Sequence, residues 1–212
     1  MKYIVKGTEP PELTAWKRPA IEDWQPTYAD LRGAEKQAVK KALMQEQGYL
    51  CCYCERQLID GDSHIEHFKP QSDPTVDPLD YANLLCSCQN KLDKGEPRHC
   101  GNLKGDWFDD LLLVSPMAPD CESRFTYTAD GRIYPANQDP AAKETIEHLG
   151  LDLPKLVSLR AAAIAHFLDD ELTGEELSLF IEGYLQRDTE GHFNQFWTTI
   201  HSLFVRPAEL AT

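Results

Sequence analysis

Between Cys51 and Lys104 the chain sets a cysteine pair, a Glu-His couplet, an asparagine and a second group of cysteines in one order. Any fold of this chain has to reconcile those thiols. Cys51 and Cys54 form a C-x-x-C step, Glu66-His67 lies in Ser63-His64-Ile65-Glu66-His67-Phe68-Lys69-Pro70, and Asn83 introduces Leu84-Leu85-Cys86-Ser87-Cys88. The run His99-Cys100-Gly101-Asn102-Leu103-Lys104 closes the segment. Seven cysteines is an odd number, and four have metal-site spacing rather than that of a disulfide framework, which points to a reducing compartment. Structural zinc takes four tetrahedral ligands, and thiolates arriving as two pairs surround it without straining either turn. Cys51, Cys54, Cys88 and Cys100 suit that geometry best, although Gln89–His99 separates the second pair. Cys86 rivals Cys88, because Cys86-Ser87-Cys88 is too tight for both to bind, while Cys52 and Cys121 are assigned to the core. The bland alternative is a set of buried free cysteines. A zinc ion of this kind contributes about 10–16 kcal/mol in small metal-folded peptides, so it is expected to hold the segment together.

The same order resembles the HNH endonuclease family, whose members carry a C-x-Y-C knuckle, an acidic-His pair before a proline, an asparagine before a short apolar run, and a closing C-N-x-x-K-G turn. Tyr53 occupies even the aromatic position. The likeness is strongest to the PtuB-type subunits of Septu and retron anti-phage systems, encoded beside an ATPase. It extends through the hairpin Phe125–Tyr134 and the helix ending His148-Leu149-Gly150-Leu151, about two thirds of the chain. The resemblance implies an α+β fold in which a zinc-stapled ββα-metal core is flanked by an N-terminal arm and helix and a C-terminal helical extension. It also implies a metal-dependent endonuclease acting on DNA, working with a PtuA-type ATPase and with a retron reverse transcriptase and its DNA–RNA product.

Phosphodiester hydrolysis needs an activated water, a neutralised phosphate and a stabilised leaving oxygen, and one divalent cation plus one general base supply all three. An imidazole of ordinary pKa near ~6.5 accepts a proton at neutral pH, and the resemblance gives that task to His67. It matches Asn83 to the asparagine that fixes the His loop, and Glu66, longer than the usual Asp, to a ligand of Mg²⁺ or Mn²⁺. The family's second metal ligand directly follows the last cysteine, where this chain has Gly101; Asn102 is assigned instead, with His99 as the replacement if the helix register differs. His64 reads as a surface histidine or a partner of the ligands, and Lys104 as a phosphate contact or a solvated lysine. Two other readings compete. One is an adaptor whose nuclease motif has decayed, suggested by Glu66 and Gly101; the other is an RNase using the same site.

Net charge is −14, awkward for a nucleic-acid enzyme because phosphate affinity comes from Lys and Arg. The acid is uneven: residues 1–110 hold 14 Lys+Arg against 19 Asp+Glu, and residues 111–212 hold 7 against 16. Basic residues cluster around the motif, so weak intrinsic affinity supplemented by a basic partner is expected. Three segments are expected: an arm and helix over 1–48, a nuclease core over 49–110, and a hairpin plus helices over 111–212. The arm, with Pro10, Pro11, Trp16, Pro19, Trp24 and Pro26, shows no period and reads as irregular, either a strap on the core or a docking segment. Helices are expected at Asp30–Gln47 and Asn102–Asp110, from the Asp139 cap to Gly150, and at 154–172, 174–187 and 192–204. No run reaches the ~20 apolar residues of a membrane span, and the first residues are too polar for a signal peptide, so a soluble, cytoplasmic protein is expected.

Overall fold

The computed structural model describes residues 1–21, 25–168 and 172–205. Trp24 and positions 169–171 of the stretch expected at 154–172 lie outside the described residues. The arm holds one short helix, α1 (Pro11–Lys17), opened by a proline whose missing N–H costs nothing at the first helical position. Only Leu13 of α1 is buried, which is why no apolar period betrays it. Helix α2 (Gly33–Glu46) buries Val39, Leu43 and Met44 along one face. Just beyond it, the Gln47 amide donates to the carbonyls of Leu50 and Cys86 (2.7 and 2.8 Å) and accepts from the Cys86 N–H at 2.7 Å. One buried side chain thus satisfies backbone groups of two neighbouring segments, which would otherwise be costly to bury.

Strands β1 (Ser63–His67) and β2 (Leu84–Cys88) pair antiparallel, with Ser63 opposite Cys88 and His67 opposite Leu84. The proline-rich loop between them carries no regular structure until a 3₁₀ turn at Tyr81–Asn83. Helix α3 (Gly101–Lys104) follows β2 and is shorter than the expected Asn102–Asp110. Gly105 leaves it at φ 52°, and the Asp109 carboxylate accepts from the N–H groups of Leu111 and Leu112, a local bond that competes with helix.

A second antiparallel pair, β3 (Phe125–Tyr127) and β4 (Ile133–Pro135), forms the expected hairpin, its turn closed by the Gly131 N–H on the Thr128 carbonyl at 2.8 Å. Gly131 lies at φ 85° with its Cα against a helix, where a Cβ would fall 2.2 Å from the Val157 carbonyl oxygen. Helix α4 (Pro140–Leu149) is capped by Asp139, whose carboxylate accepts from the N–H groups of Ala141 and Ala142, and it ends at left-handed Gly150. Helices α5 (Pro154–Ala165), α6 (Gly174–Leu185) and α7 (Trp197–Phe204) complete the chain, with the Thr173–Glu176 capping box formed at the start of α6. The last begins later than position 192 because Asp188 draws the N–H groups of Glu190 and His192 into a turn.

One apolar core runs from Met1 to Leu156 and takes in the arm, α2, both strand pairs and α4, while Ile164, Phe167, Ile181 and Ile200 join α5, α6 and α7 in a smaller cluster. No described helix is long and apolar enough to cross a membrane. Two buried charges lock the layers together. Arg160 donates to the carbonyls of Gly131 (2.6 Å) and Leu151 (2.7 Å). Glu55, next to Cys54, pairs with the Met1 ammonium at 2.6 Å and accepts from the Thr198 N–H at 2.7 Å. Removing one member of a buried pair strands the other, at about 3–5 kcal/mol. Glu55→Ala is therefore expected to lower unfolding stability by that amount; a urea midpoint equal to wild type would contradict it.

Candidate functional site

Four thiols converge from three directions. The knuckle around Cys51 and Cys54 is closed by hydrogen bonds from the Cys51 N–H to the Arg56 carbonyl (2.9 Å) and from the Leu58 N–H to the Tyr49 carbonyl (2.7 Å). Cys88 ends β2 and Cys100 precedes α3. The eleven residues between them are drawn closed by Gln89, which accepts from the His99 N–H at 2.9 Å and donates to the Pro97 carbonyl at 3.1 Å. Cys100 is anchored again by its N–H on the Leu149 carbonyl at 2.8 Å.

The sulfurs of Cys51, Cys54, Cys88 and Cys100 all lie within 4.8 Å of one another, and all four residues are buried. Two sulfurs about 2.3 Å from one tetrahedral zinc ion sit about 3.8 Å apart, and Cys54 and Cys88 are 3.7 Å apart. The donor set fits zinc. Burial opposes ionisation of Cys51, yet contacts from Cys100, Cys52, Cys54 and Cys88 bring its pKa well below the ordinary thiol value. The Cys88 N–H donates to the Cys51 sulfur at 3.4 Å, and His99 Nδ1 stands 3.1 Å from the Cys100 sulfur. Cys86 is outside this group, and burial pushes its pKa, like that of Cys121, up to about 12, so both remain neutral core thiols.

Beside the cluster, the alternation of β1 turns His64 and Glu66 to one face. Glu66 Oε1 accepts from the Tyr53 hydroxyl at 3.1 Å and pairs with Lys104 Nζ at 3.0 Å. Lys104 also donates to the His67 carbonyl at 3.0 Å, and its side chain is 1 % exposed. Lys104 is thus neither a phosphate contact nor a solvated lysine: a buried carboxylate needs a counter-charge, and α3 delivers it. Burial resists ionisation of Glu66, but His64 and Lys104 outweigh it and hold its pKa below the usual carboxylate value.

His67 Nε2 lies 2.9 Å from the Pro78 carbonyl, which can only accept, so Nε2 carries the proton and Nδ1 presents its lone pair to the Gln71 amide at 3.3 Å. Tyr28 meets the ring edge-on at 4.5 Å. Burial lowers the His67 pKa despite the opposing Pro78 hydrogen bond, leaving a neutral imidazole at pH 7. Asn83 pins the residues after His67: its amide donates to the Lys69 carbonyl (2.9 Å) and accepts from the Lys69 N–H (2.8 Å). Asn102 commits its amide to the Gln89 carbonyl. His99 sits beside the thiols, and His64 Nε2 stands 3.7 Å from Glu66 Oε2. Gln71, Pro78 and the role of Tyr53 at Glu66 escaped sequence reasoning. Of these only Tyr53 had a signal, its place inside the knuckle.

No family model matches the chain. It is 32% identical over 142 residues, 61% of this chain and 67% of the relative, to a protein of Vibrio cholerae serotype O1 biovar El Tor named "Retron Vc95 putative HNH endonuclease". It is also 28% identical over 211 residues, 79% of this chain and 80% of the relative, to "Retron Ec83 putative HNH endonuclease" of Escherichia coli.

Metal analysis checks the cluster. One zinc ion per chain is expected, lost on Cys51→Ser or Cys100→Ser and kept on Cys86→Ser, with chelation lowering the melting temperature. Zinc retained by Cys51→Ser, or lost by Cys86→Ser, would reject this ligand set.

Proposed function

The chain belongs to the HNH endonuclease family, and from that membership we propose that it is a metal-dependent phosphodiester hydrolase that cuts DNA as the effector of a retron anti-phage defence complex. One observation carries the reading: Glu66, buried and paired with Lys104, and His67, held through Nε2 on the Pro78 carbonyl, are adjacent on a strand whose neighbours reach the four-cysteine cluster. Carboxylate and imidazole then hold the protonation states that hydrolysis requires at neutral pH. The β1, β2, α3 order beside those thiols supports a ββα-metal core stapled by zinc.

In this mechanism His67 takes the proton of the attacking water on Nδ1, the nitrogen that its hydrogen bond to Pro78 leaves available. Gln71, exposed and facing Nδ1, yields that position to the water. Asn83 keeps the segment after His67 in place so the imidazole cannot swing away. Glu66, oriented by Tyr53 and Lys104 through one oxygen, would be the carboxylate ligand of a catalytic cation. Mg²⁺ or Mn²⁺ held there would supply charge neutralisation on the phosphate and the leaving oxygen. The second protein ligand would be Asn102, or His99 in its place.

The net charge of −14 supports a partner that holds the nucleic acid, and an ATPase of the PtuA type, with a retron reverse transcriptase and its DNA–RNA product, is the proposed context. Gel filtration of the chain with that ATPase is expected to give one shared peak at micromolar concentration. Two separate peaks would count against the assembly.

His67→Ala is expected to keep zinc and melting temperature while cleavage falls by about 10²–10⁴, the usual worth of a general base. Unchanged cleavage by the folded variant would remove His67 from the mechanism. Cleavage should be level near neutrality and fall as acid protonates His67, below its ordinary ~6.5 because its pKa is lowered. Parallel assays on DNA and RNA decide the polymer, and cleavage of RNA alone would replace the DNA reading.

A further inference from the structure

Glu66 binds its two donors, Tyr53 and Lys104, through Oε1. Its other oxygen, Oε2, faces His64 Nε2 at 3.7 Å, too far for a direct hydrogen bond. Both side chains project from the same face of β1 and meet over the first residue of α3, where a Cβ on Gly101 would lie 2.3 Å from Glu66 Oε2 and 2.9 Å from His64 Nε2. Position 101 therefore has room for these two groups only because it lacks a side chain. His64 reaches solvent, with 23 % of its side chain exposed, so an ion has a way in. Two donor atoms each about 2.1 Å from one ion lie about 3–4 Å apart, the spacing found here. Asn102, by contrast, spends its amide on Gln89.

We propose that His64 is the imidazole ligand that completes the divalent-cation site with Glu66, in place of Asn102. The inference rests on the nuclease reading of Glu66 and specifies the metal chemistry of that same site. A mixed nitrogen and oxygen donor pair favours Mn²⁺ and later first-row ions over Mg²⁺, which prefers oxygen and keeps its water.

The test is Mn²⁺ titration of the zinc-loaded chain, followed by electron paramagnetic resonance, with zinc content and thermal melting as folding controls. Wild type should bind one Mn²⁺, His64→Ala about tenfold or more weakly, and Asn102→Ala within about twofold of wild type. His64→Asp should restore binding and raise affinity for Mg²⁺ relative to Mn²⁺, a change that a purely structural histidine would not produce. Wild-type affinity in His64→Ala, with loss in Asn102→Ala and in Glu66→Gln, would overturn the assignment of His64 while leaving the nuclease centre intact. Undiminished Mn²⁺ binding in Glu66→Gln would remove the cation site altogether, and with it the nuclease reading.

Discussion

Everything near the candidate site depends on four sulfurs brought within 4.8 Å of one another from a knuckle, a strand end and the turn before a four-residue helix. A helix of one turn has no stability of its own in water, and a two-stranded sheet is marginal. Both need an external staple. A zinc ion held by the cluster would supply it, and the same knuckle carries Tyr53, one residue before Cys54, whose hydroxyl holds Glu66. Lys104, four residues after Cys100, approaches the same oxygen from the other side. Metal binding and carboxylate placement are consequently two ends of one short structure.

The environments of Glu66 and His67 are separated by a single peptide bond yet push in useful directions. Glu66 is buried but given a cation and two further polar neighbours, so it stays charged. His67 is buried beside Tyr28 with a carbonyl on one nitrogen and an amide on the other, and burial wins, so it stays neutral. The strand makes this possible by turning adjacent residues to opposite faces. Lys104 touches both, through the Glu66 carboxylate and the His67 carbonyl, and so holds the two halves of the couplet in one register.

What the sequence disclosed follows from how local each signal is. The C-x-x-C step, the α2 periodicity and the Asp139 cap are decided within a few residues, and each is found where the pattern puts it. The α3 helix was overestimated because Gly105 and Asp109, both visible, have effects that depend on the backbone path. Lys104 was misread because a lysine carries no mark of burial; its fate is set by Glu66, 38 positions earlier. Gln47 and Gln89 were silent for the same reason. Their amides satisfy backbone groups that only the folded chain brings near.

The charge balance becomes sharper once lysines are located. Lys6, Lys17, Lys104 and Lys155 are engaged by Glu46, Glu9, Glu66 and Glu96, and Lys69 is 3.3 Å from Asp110. Each cation spent on a carboxylate is one fewer to displace counterions from a phosphate backbone. Lys36 stands over Tyr28, whose ring edge meets His67, and so brings a positive charge towards the candidate base. A single such group orients a phosphate better than it retains a polymer.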